Sequence, residues 1–117
     1  MYRLRVVDNK TVLDEGLLEI IVEFDKKNMA DVHRKTNAPL DEEIRRRNIT
    51  QNGVFILAFT VDERLAGYLE YGQCQKNGEE MFITSMKIDR RHRQSILISQ
   101  ILLQAKRDLL RRSFKLQ

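Results

Sequence analysis

The sequence predicts an α/β (α+β) domain in which a mixed, mostly antiparallel sheet carries helices on its faces. Three observations lead to this prediction: an alternating segment near the start, two helical patterns after it, and three strand-like segments before a last amphipathic helix. The predicted order is β-α-α-β-β-β-α. The chain has 117 residues, so a single domain, residues 1–117, is expected.

Composition excludes several classes of protein. Hydrophobic residues make up 42% and charged residues 32% of the chain, as in ordinary globular domains. No apolar segment is long enough to span a membrane, and the N-terminal residues lack an apolar signal segment. Cys74 is the only cysteine, which favours a cytoplasmic location. His33 and His92 have no partners at ligand spacing, so no metal site is expected.

Charge is distributed unevenly along the chain. Residues 85–117 contain nine Lys/Arg and two Asp, a net +7, whereas residues 1–84 contain twelve Lys/Arg and fifteen Asp/Glu, a net −3. A basic segment attracts phosphates, acidic partners or nucleic acid. Phe114 is its only aromatic residue, and no helix-turn-helix, zinc-finger or RNA-binding pattern is present. Nucleic acid is therefore not the expected partner.

The first half of the chain contains one predicted strand and two predicted helices. The alternation in "YRLRVV" (2–7) indicates a strand. A helix is expected over residues 11–28, with Thr11 and Asp14 at the spacing of a capping box. Its expected apolar face consists of Leu13, Leu17, Ile20 and Phe24. The segment "PLDEEIRRR" (39–47) predicts a short helix, with carboxylates near its start and Arg45, Arg46 and Arg47 near its end.

The second half predicts three strands and a helix. The segment "VFILAFT" (54–60) is apolar on both faces, which is typical of a central strand. The strand "RLAGYLEYG" (64–72) follows a short turn, and an Asn77-Gly78 turn precedes "MFITSMKI" (81–88). A helix is expected from Ser95 to about Arg112, and "FKLQ" is at most the beginning of another strand.

Two of these segments resemble the GNAT superfamily of acyl-CoA-dependent N-acyltransferases. "VDERLAGYLEYG" is similar to the hairpin between the second and third strands of that family, and "SMKIDRRHR" to its fourth strand and cofactor turn. The resemblance covers residues 2 to about 112, and the family's usual C-terminal strands are not expected in this chain. It implies a GNAT-like fold and direct transfer of an acetyl group from acetyl-CoA to an amine.

The turn after the fourth strand departs from the family pattern. That pattern is R/Q-x-x-G-x-G/A, and the corresponding residues here are Arg93, Gln94, Ser95, Ile96, Leu97 and Ile98. The resemblance implies that these residues hold the pyrophosphate and that Met86, Lys87 and Ile88 offer backbone groups to the pantetheine arm. Isoleucine occupies both glycine positions, where a side chain stands between backbone amides and phosphate oxygens. Impaired or absent binding of acetyl-CoA is therefore expected.

An acyltransferase also needs a base that accepts the proton of the amine. Glu70 and Glu80 are the candidates, because they lie near the third and fourth predicted strands. Tyr68 and Tyr71 are expected on opposite faces of the third strand, where one of them lines a cleft or both pack in the core.

The last predicted helix is apolar on two sides. Ile98, Ile101, Leu102, Ala105 and Leu109 share one face, and Ile96, Leu103 and Leu110 lie on another. A helix with two apolar sides needs two partners, so a homodimer through the second face is expected. The alternative is that the fold covers both faces internally. Two functions remain open: an N-acetyltransferase with impaired cofactor binding, and a non-catalytic dimeric interaction or regulatory module.

Overall fold

The structure is a computed structural model that describes residues 1–36, 42–49, 53–73, 80–93, 96–112 and 115–116. Its elements are, in chain order, β1 (Arg3–Asp8), α1 (Asn9–Asp14), α2 (Leu17–Thr36), α3 (Glu42–Ile49), β2 (Val54–Phe59), β3 (Leu65–Gln73), β4 (Glu80–Ile88), α4 (Leu97–Arg112) and β5 (Lys115–Leu116). A single turn of 3-10 helix, Arg90–His92, lies between β4 and α4. The predicted Asn77-Gly78 turn lies outside the described residues.

The five strands form one mixed sheet in the order β1-β2-β3-β4-β5. The first four strands pair antiparallel, and β5 pairs parallel to β4 through two residue pairs. Every side chain of β2 is buried, which agrees with a central strand covered on both faces. The predicted fold class is confirmed, and the segment "FKLQ" does begin a further strand.

Helices cover both faces of the sheet and define two apolar layers. α4 packs on one face, where its buried side chains meet alternate residues of β2 and β3. α1 and α2 pack on the other face. The first layer includes Ile56, Leu69, Leu97, Ile101 and Leu109; the second includes Val12, Ile21, Phe24, Phe55 and Leu57. In the described part of the chain, no helix has the length and apolar character needed to cross a membrane.

The single helix predicted over residues 11–28 is wrong in its bounds, because the structure contains two helices there. Asp8 caps α1, since its Oδ1 accepts a hydrogen bond from the backbone N of Thr11 at 2.7 Å. Gly16 has a φ of 70°, a left-handed conformation that ends α1 before α2 begins. The helical pattern after Gly16 then continues beyond residue 28, to Thr36.

The break at Gly16 also changes which apolar side chains reach the core. Leu13 and Ile20, which were expected inside, are exposed, whereas Ile21 and Val22 are fully buried. Leu17 and Phe24 are buried as expected. A 3.6-residue pattern carried across the break misplaces the other two residues, because the two helices have independent orientations. Leu18, which lies outside the predicted face, also packs against this layer.

The two predicted sides of α4 have different environments. Ile101, Ala105 and Leu109 are buried against the sheet, together with Leu97. Ile98 is half-buried, and Leu102, which was expected on the side that packs against the sheet, is 41% exposed. Ile96, Leu103 and Leu110 are 68%, 48% and 69% exposed. The second apolar side is therefore not covered by the described part of the domain.

Candidate functional site

The edge of β4 is the first feature of the candidate site. β5 pairs with β4 only at Glu80 and Met81. Among the described residues, no strand pairs with residues 82–88 on that edge. The backbone there presents a row of amide and carbonyl groups, and such an edge is a template for an extended ligand. Met86, Lys87 and Ile88, the residues expected to face the pantetheine arm, lie at the end of this edge.

A β-bulge interrupts the same strand. Glu70 on β3 is paired with Ser85, whereas the next residue, Tyr71, is paired with Ile83, so Thr84 is an extra residue in β4. Bulges change the direction of backbone groups and often lie next to active sites. No feature of the sequence had indicated this one.

Basic residues follow β4 and form a closed turn. The carboxylate of Asp89 accepts hydrogen bonds from the backbone N of Arg91 at 3.0 Å and from its Nε at 3.2 Å. Arg93 donates from Nε to the carbonyl of Ile88 at 3.1 Å, so its side chain is turned back toward the end of β4. Tyr2 contacts Nδ1 of His92 at 2.8 Å, with the two rings edge to face. These contacts hold the turn against the sheet.

The structure separates the residues expected to bind the pyrophosphate. Ile96 is exposed immediately before α4, and its carbonyl accepts a hydrogen bond from the N of Gln100 at 3.1 Å. The side chain of Leu97 is fully buried in the core, and that of Ile98 packs partly against the same layer. Ile96 is thus the side chain that stands at the surface of this helix start. Gln94 and Ser95 lie outside the described residues.

The two candidate bases do not lie together at the open edge. Glu70 is 8% exposed and lies on the α2 face of β3. Its Oε2 lies 3.8 Å from where a Cβ on Gly53 would be, so the carboxylate points toward the start of β2. Glu80 opens β4, where its backbone pairs with β5; its side chain lies outside the described part of the structure.

A buried charged cluster on the α2 face is a feature that sequence reasoning missed. Asp25 is fully buried, and its Oδ1 accepts a hydrogen bond from the hydroxyl of Tyr68 at 2.6 Å. The Nζ of Lys87 lies 3.2 Å from the same oxygen. On the other face, Tyr71 donates to Asp108, which is also buried. The prediction that the two tyrosines lie on opposite faces is confirmed, and both reach a buried carboxylate.

Asp89 gives the basic turn a defined pH dependence. Burial alone raises the pKa of this carboxyl, but the hydrogen bonds and charge of Arg91, with the more distant Lys27, outweigh it and lower the pKa below its ordinary value. A carboxyl whose pKa is lower in the folded state stabilises that state above its unfolded pKa, near 3.9. This stabilisation is lost as pH falls through the lower, folded value.

Replacing Asp89 with asparagine keeps a capping side chain but removes the charge. We expect Asp89→Asn to lower the free energy of unfolding at pH 7 by about 1.5–3 kcal/mol, the contribution of a charged hydrogen bond. Urea denaturation between pH 7 and pH 2 measures the difference, which is expected to vanish at the acidic end. Asp14→Asn, at the exposed end of α1, is the matched control. A difference that stays constant with pH would contradict the assigned role of the charge.

In the described residues, no group of three His, Cys, Asp or Glu side chains is placed to hold a metal ion. No protein-family model matches the chain, and no curated protein matches it.

Comparison with solved structures does find related folds. An aminoglycoside acetyltransferase from an uncultured soil metagenomic sample has a TM-score of 0.69 at 14% identity, covering 99% of this chain and 76% of its own. The ribosomal-protein-alanine N-acetyltransferase of Brucella melitensis has a TM-score of 0.67 at 11% identity, with 99% and 78% covered.

A predicted acetyltransferase from Clostridium acetobutylicum, solved with acetyl-CoA, has a TM-score of 0.66 at 16% identity and covers 100% of this chain and 79% of its own. At these identities the likeness concerns the fold. The order of strands and helices agrees with it. The chain therefore has the fold of the GNAT acetyltransferases.

Proposed function

We propose that this chain is an acetyl-CoA-dependent N-acyltransferase whose affinity for the cofactor is reduced by one side chain. The observation that carries the proposal is the open edge of β4, residues 82–88, which leads through the basic turn to the start of α4. Solved structures of the same fold include one with acetyl-CoA bound. The single cysteine supports the cytoplasm as the proposed location.

The β4 edge fits an extended arm that carries amides. Met86, Lys87 and Ile88 are the proposed contacts, because strand backbone pairs with amide groups of a ligand as it does with another strand. Met86 is 40% exposed on the α4 side of the sheet, which leaves apolar surface beside this edge. When bound, acetyl-CoA supplies an activated acetyl group for direct transfer to an amine. Glu70 and Glu80 remain the proposed proton acceptors.

The start of α4 fits a pyrophosphate less well. The first backbone N–H groups of a helix point toward its N-terminal end and attract anions. Arg93 adds a positive charge beside them. Ile96 is 68% exposed at this position, and a β-branched side chain there opposes close approach of phosphate oxygens. The side chains of Leu97 and Ile98 are turned toward the core and obstruct the site less.

Replacing Ile96 with glycine is expected to tighten acetyl-CoA binding about tenfold, the effect of regaining one charged hydrogen bond. Isothermal titration calorimetry with acetyl-CoA and with coenzyme A at near-physiological salt measures the dissociation constants of both proteins. Glycine is well tolerated just before a helix, so folding is preserved. Leu103→Ala is the control, because Leu103 is also an exposed apolar residue but lies two turns further along α4.

Weak saturable binding by the unaltered chain and tighter binding by Ile96→Gly are the results that support the proposal. Flat titrations for both proteins at high concentration would end it. Equal tightening by Leu103→Ala would show that Ile96 does not act at the cofactor turn.

The exposure of Ile96, Leu103 and Leu110 favours a second candidate, a non-catalytic dimeric interaction or regulatory module. In this function the helix start of α4 is a packing surface and coenzyme A does not bind. The homodimer predicted from the sequence belongs to this candidate.

A further inference from the structure

The turn that joins β2 to β3 fixes the backbone of Arg64. The hydroxyl of Thr60 accepts a hydrogen bond from the N of Arg64 at 3.1 Å and donates one to Oδ1 of Asp62 at 2.5 Å. The N of Thr60 donates to the carbonyl of Arg64 at 2.8 Å. Glu63 has a φ of 63°, a left-handed conformation that closes the turn. The Arg64 side chain therefore extends from a well-defined position.

A backbone hydrogen bond holds the basic turn beside the start of β3. The N of Asp89 donates to the carbonyl of Ala66 at 2.8 Å, two residues after Arg64. The Asp89 carboxylate in turn accepts hydrogen bonds from the N and Nε of Arg91. Arg64 and Arg91, which are 27 positions apart in the sequence, are thus anchored at the same end of the sheet.

The electrostatics of Asp62 show that both arginines lie near it. The hydrogen bond from Thr60 is the largest effect that lowers the pKa of the Asp62 carboxyl, and the charges of Arg64 and Arg91 lower this pKa further. A single exposed carboxylate therefore lies within the field of two guanidinium groups.

A cavity of about 390 Å³ lies where these two turns meet the start of β1, and we call it the turn cavity. Apart from the terminal amine and the neutral His92, its charged lining consists of Asp62, Arg64 and Arg91, which gives 2 − 1 = +1. Its volume lies within the range of about 300–1,000 Å³ that is typical of small-molecule sites.

The turn cavity also has an apolar wall. The side chains of Tyr2, Val61 and Leu65 line it. Tyr2 is held in place by His92, whose ring it meets edge to face with centroids 5.4 Å apart. A ligand with an apolar group can therefore contact this wall while a charged group meets the arginines.

A groove on the α2 face shares both arginines but differs in charge. This groove, of about 490 Å³, is also lined by Lys27 and by four carboxylates, which gives 3 − 4 = −1. The carboxylates are Glu19, Glu23, Glu63 and Asp89. An anion that meets Arg64 and Arg91 is therefore favoured in the turn cavity and not in the groove.

Both guanidinium groups have donors left for a ligand. Arginine has five N–H donors. The Nε of Arg91 donates to Asp89 at 3.2 Å, and the Nε of Arg64 lies 3.4 Å from Asp62. In the part of the chain that the structure describes, the terminal Nη groups of both arginines donate no hydrogen bond. The two side chains are 72% and 60% exposed, so these groups are accessible from solvent.

We propose that the turn cavity binds a phosphate monoester that carries a small apolar group. The terminal nitrogens of arginine form a planar fork that binds phosphate in bidentate geometry, and two forks suit the three terminal oxygens of a monoester. One fork is enough for a carboxylate. The apolar wall takes the organic part of the ligand. The cavity shares no residue with the β4 edge at 82–88 or with α4, and its function does not depend on acyl transfer.

Phenyl phosphate and inorganic phosphate are the probes, and isothermal titration calorimetry at near-physiological salt measures their dissociation constants. One site per chain is expected. Phenyl phosphate is expected to bind about tenfold more tightly, the effect of burying about 60 Å² of its ring. Arg64→Gln and Arg91→Gln are each expected to weaken binding of phenyl phosphate about tenfold or more, because each removes a charged hydrogen-bond donor.

Matched variants separate this site from other basic surfaces. Arg107→Gln changes an exposed arginine of α4, and Arg93→Gln changes the arginine that is proposed to lie beside the cofactor pyrophosphate. Both are expected to bind phenyl phosphate like the unaltered chain. Arg91→Lys leaves Asp89 with a cation and removes only the fork, so it replaces Arg91→Gln if circular dichroism shows that the latter does not fold. Excess coenzyme A is expected to leave the affinity for phenyl phosphate unchanged.

Four results would overturn the proposal. The first is the absence of saturable binding of phenyl phosphate, and the second is unchanged affinity in the Arg64 and Arg91 variants. Equal affinities for the two probes would remove the role of the apolar wall and with it the organic ligand. Competition by coenzyme A, or an equal loss in Arg93→Gln, would assign the bound phosphate to the cofactor turn.

Discussion

Replacing Asp25 with alanine is expected to lower the free energy of unfolding by about 3–5 kcal/mol, the loss that follows removal of one partner of a buried ion pair. The carboxylate has no solvent exposure and contacts both the hydroxyl of Tyr68 and the ammonium of Lys87. Without this carboxylate, the largely buried ammonium of Lys87 and the buried hydroxyl of Tyr68 lose their contact with it. Urea denaturation followed by circular dichroism measures the loss.

Two further variants make this result specific. Glu23→Ala removes an exposed carboxylate of the same helix, 3.5 Å from Lys26, and is expected to cost less than about 0.5 kcal/mol. Asp25→Leu combined with Lys87→Met is expected to recover much of the stability, because an apolar pair avoids the desolvation of two charges. A cost below about 1 kcal/mol for Asp25→Ala would contradict a buried ion pair that joins α2 to β4.

The strands were predictable because their signals are local. The uninterrupted apolar segment that forms β2 is buried on both faces. The bounds of β1 to β4 differ from the predicted bounds by no more than one residue at either end. The pairing of β2 with β3 and of β3 with β4 follows from the short connections between them, which favour antiparallel hairpins. Side-chain alternation placed Tyr68 and Tyr71 on opposite faces, as observed.

The helices were harder because their faces depend on where each one begins. Periodicity from Leu13 to Phe24 assumed a continuous helix, and the left-handed Gly16 divides it. Asp8 lies outside both the predicted strand and the predicted helix, but its side chain caps α1. Glycine in a helical pattern is tolerated often enough that its presence alone does not establish a break.

Only those parts of the candidate site that are formed by residues adjacent in the sequence were predictable. The resemblance placed Met86, Lys87 and Ile88 at the end of β4, next to the basic turn, and the structure does so too. The pairing of Lys87 with Asp25 joins residues 62 positions apart in the sequence, so it depends on how α2 lies on the sheet. The sequence prediction missed the carboxylate because it placed Ile20 and not Ile21 in the core. Asp25 lies four residues after Ile21, so it is on the buried face and needs a partner once Ile21 is known to be buried.

The two sides of α4 are expected to differ strongly in what they contribute to stability. Ile101→Ala removes a fully buried side chain and is expected to cost about 2–5 kcal/mol, because the rigid sheet beneath leaves a cavity. Leu103→Ala, two residues further along, is expected to change the free energy of unfolding by no more than about 0.5 kcal/mol. Urea denaturation of both variants at low protein concentration measures the difference for single chains.

The comparison decides whether one side or both sides of α4 stabilise the fold of a single chain. A small cost for Leu103→Ala means that the stability of a single chain does not depend on its outward apolar residues, which leaves them open to a partner or a second copy. A cost for Leu103→Ala close to that of Ile101→Ala would show that another part of the chain covers the outward side. The homodimer predicted from the sequence would then lose its surface, and the open edge of β4 with the basic turn would remain as a candidate binding site of the described structure.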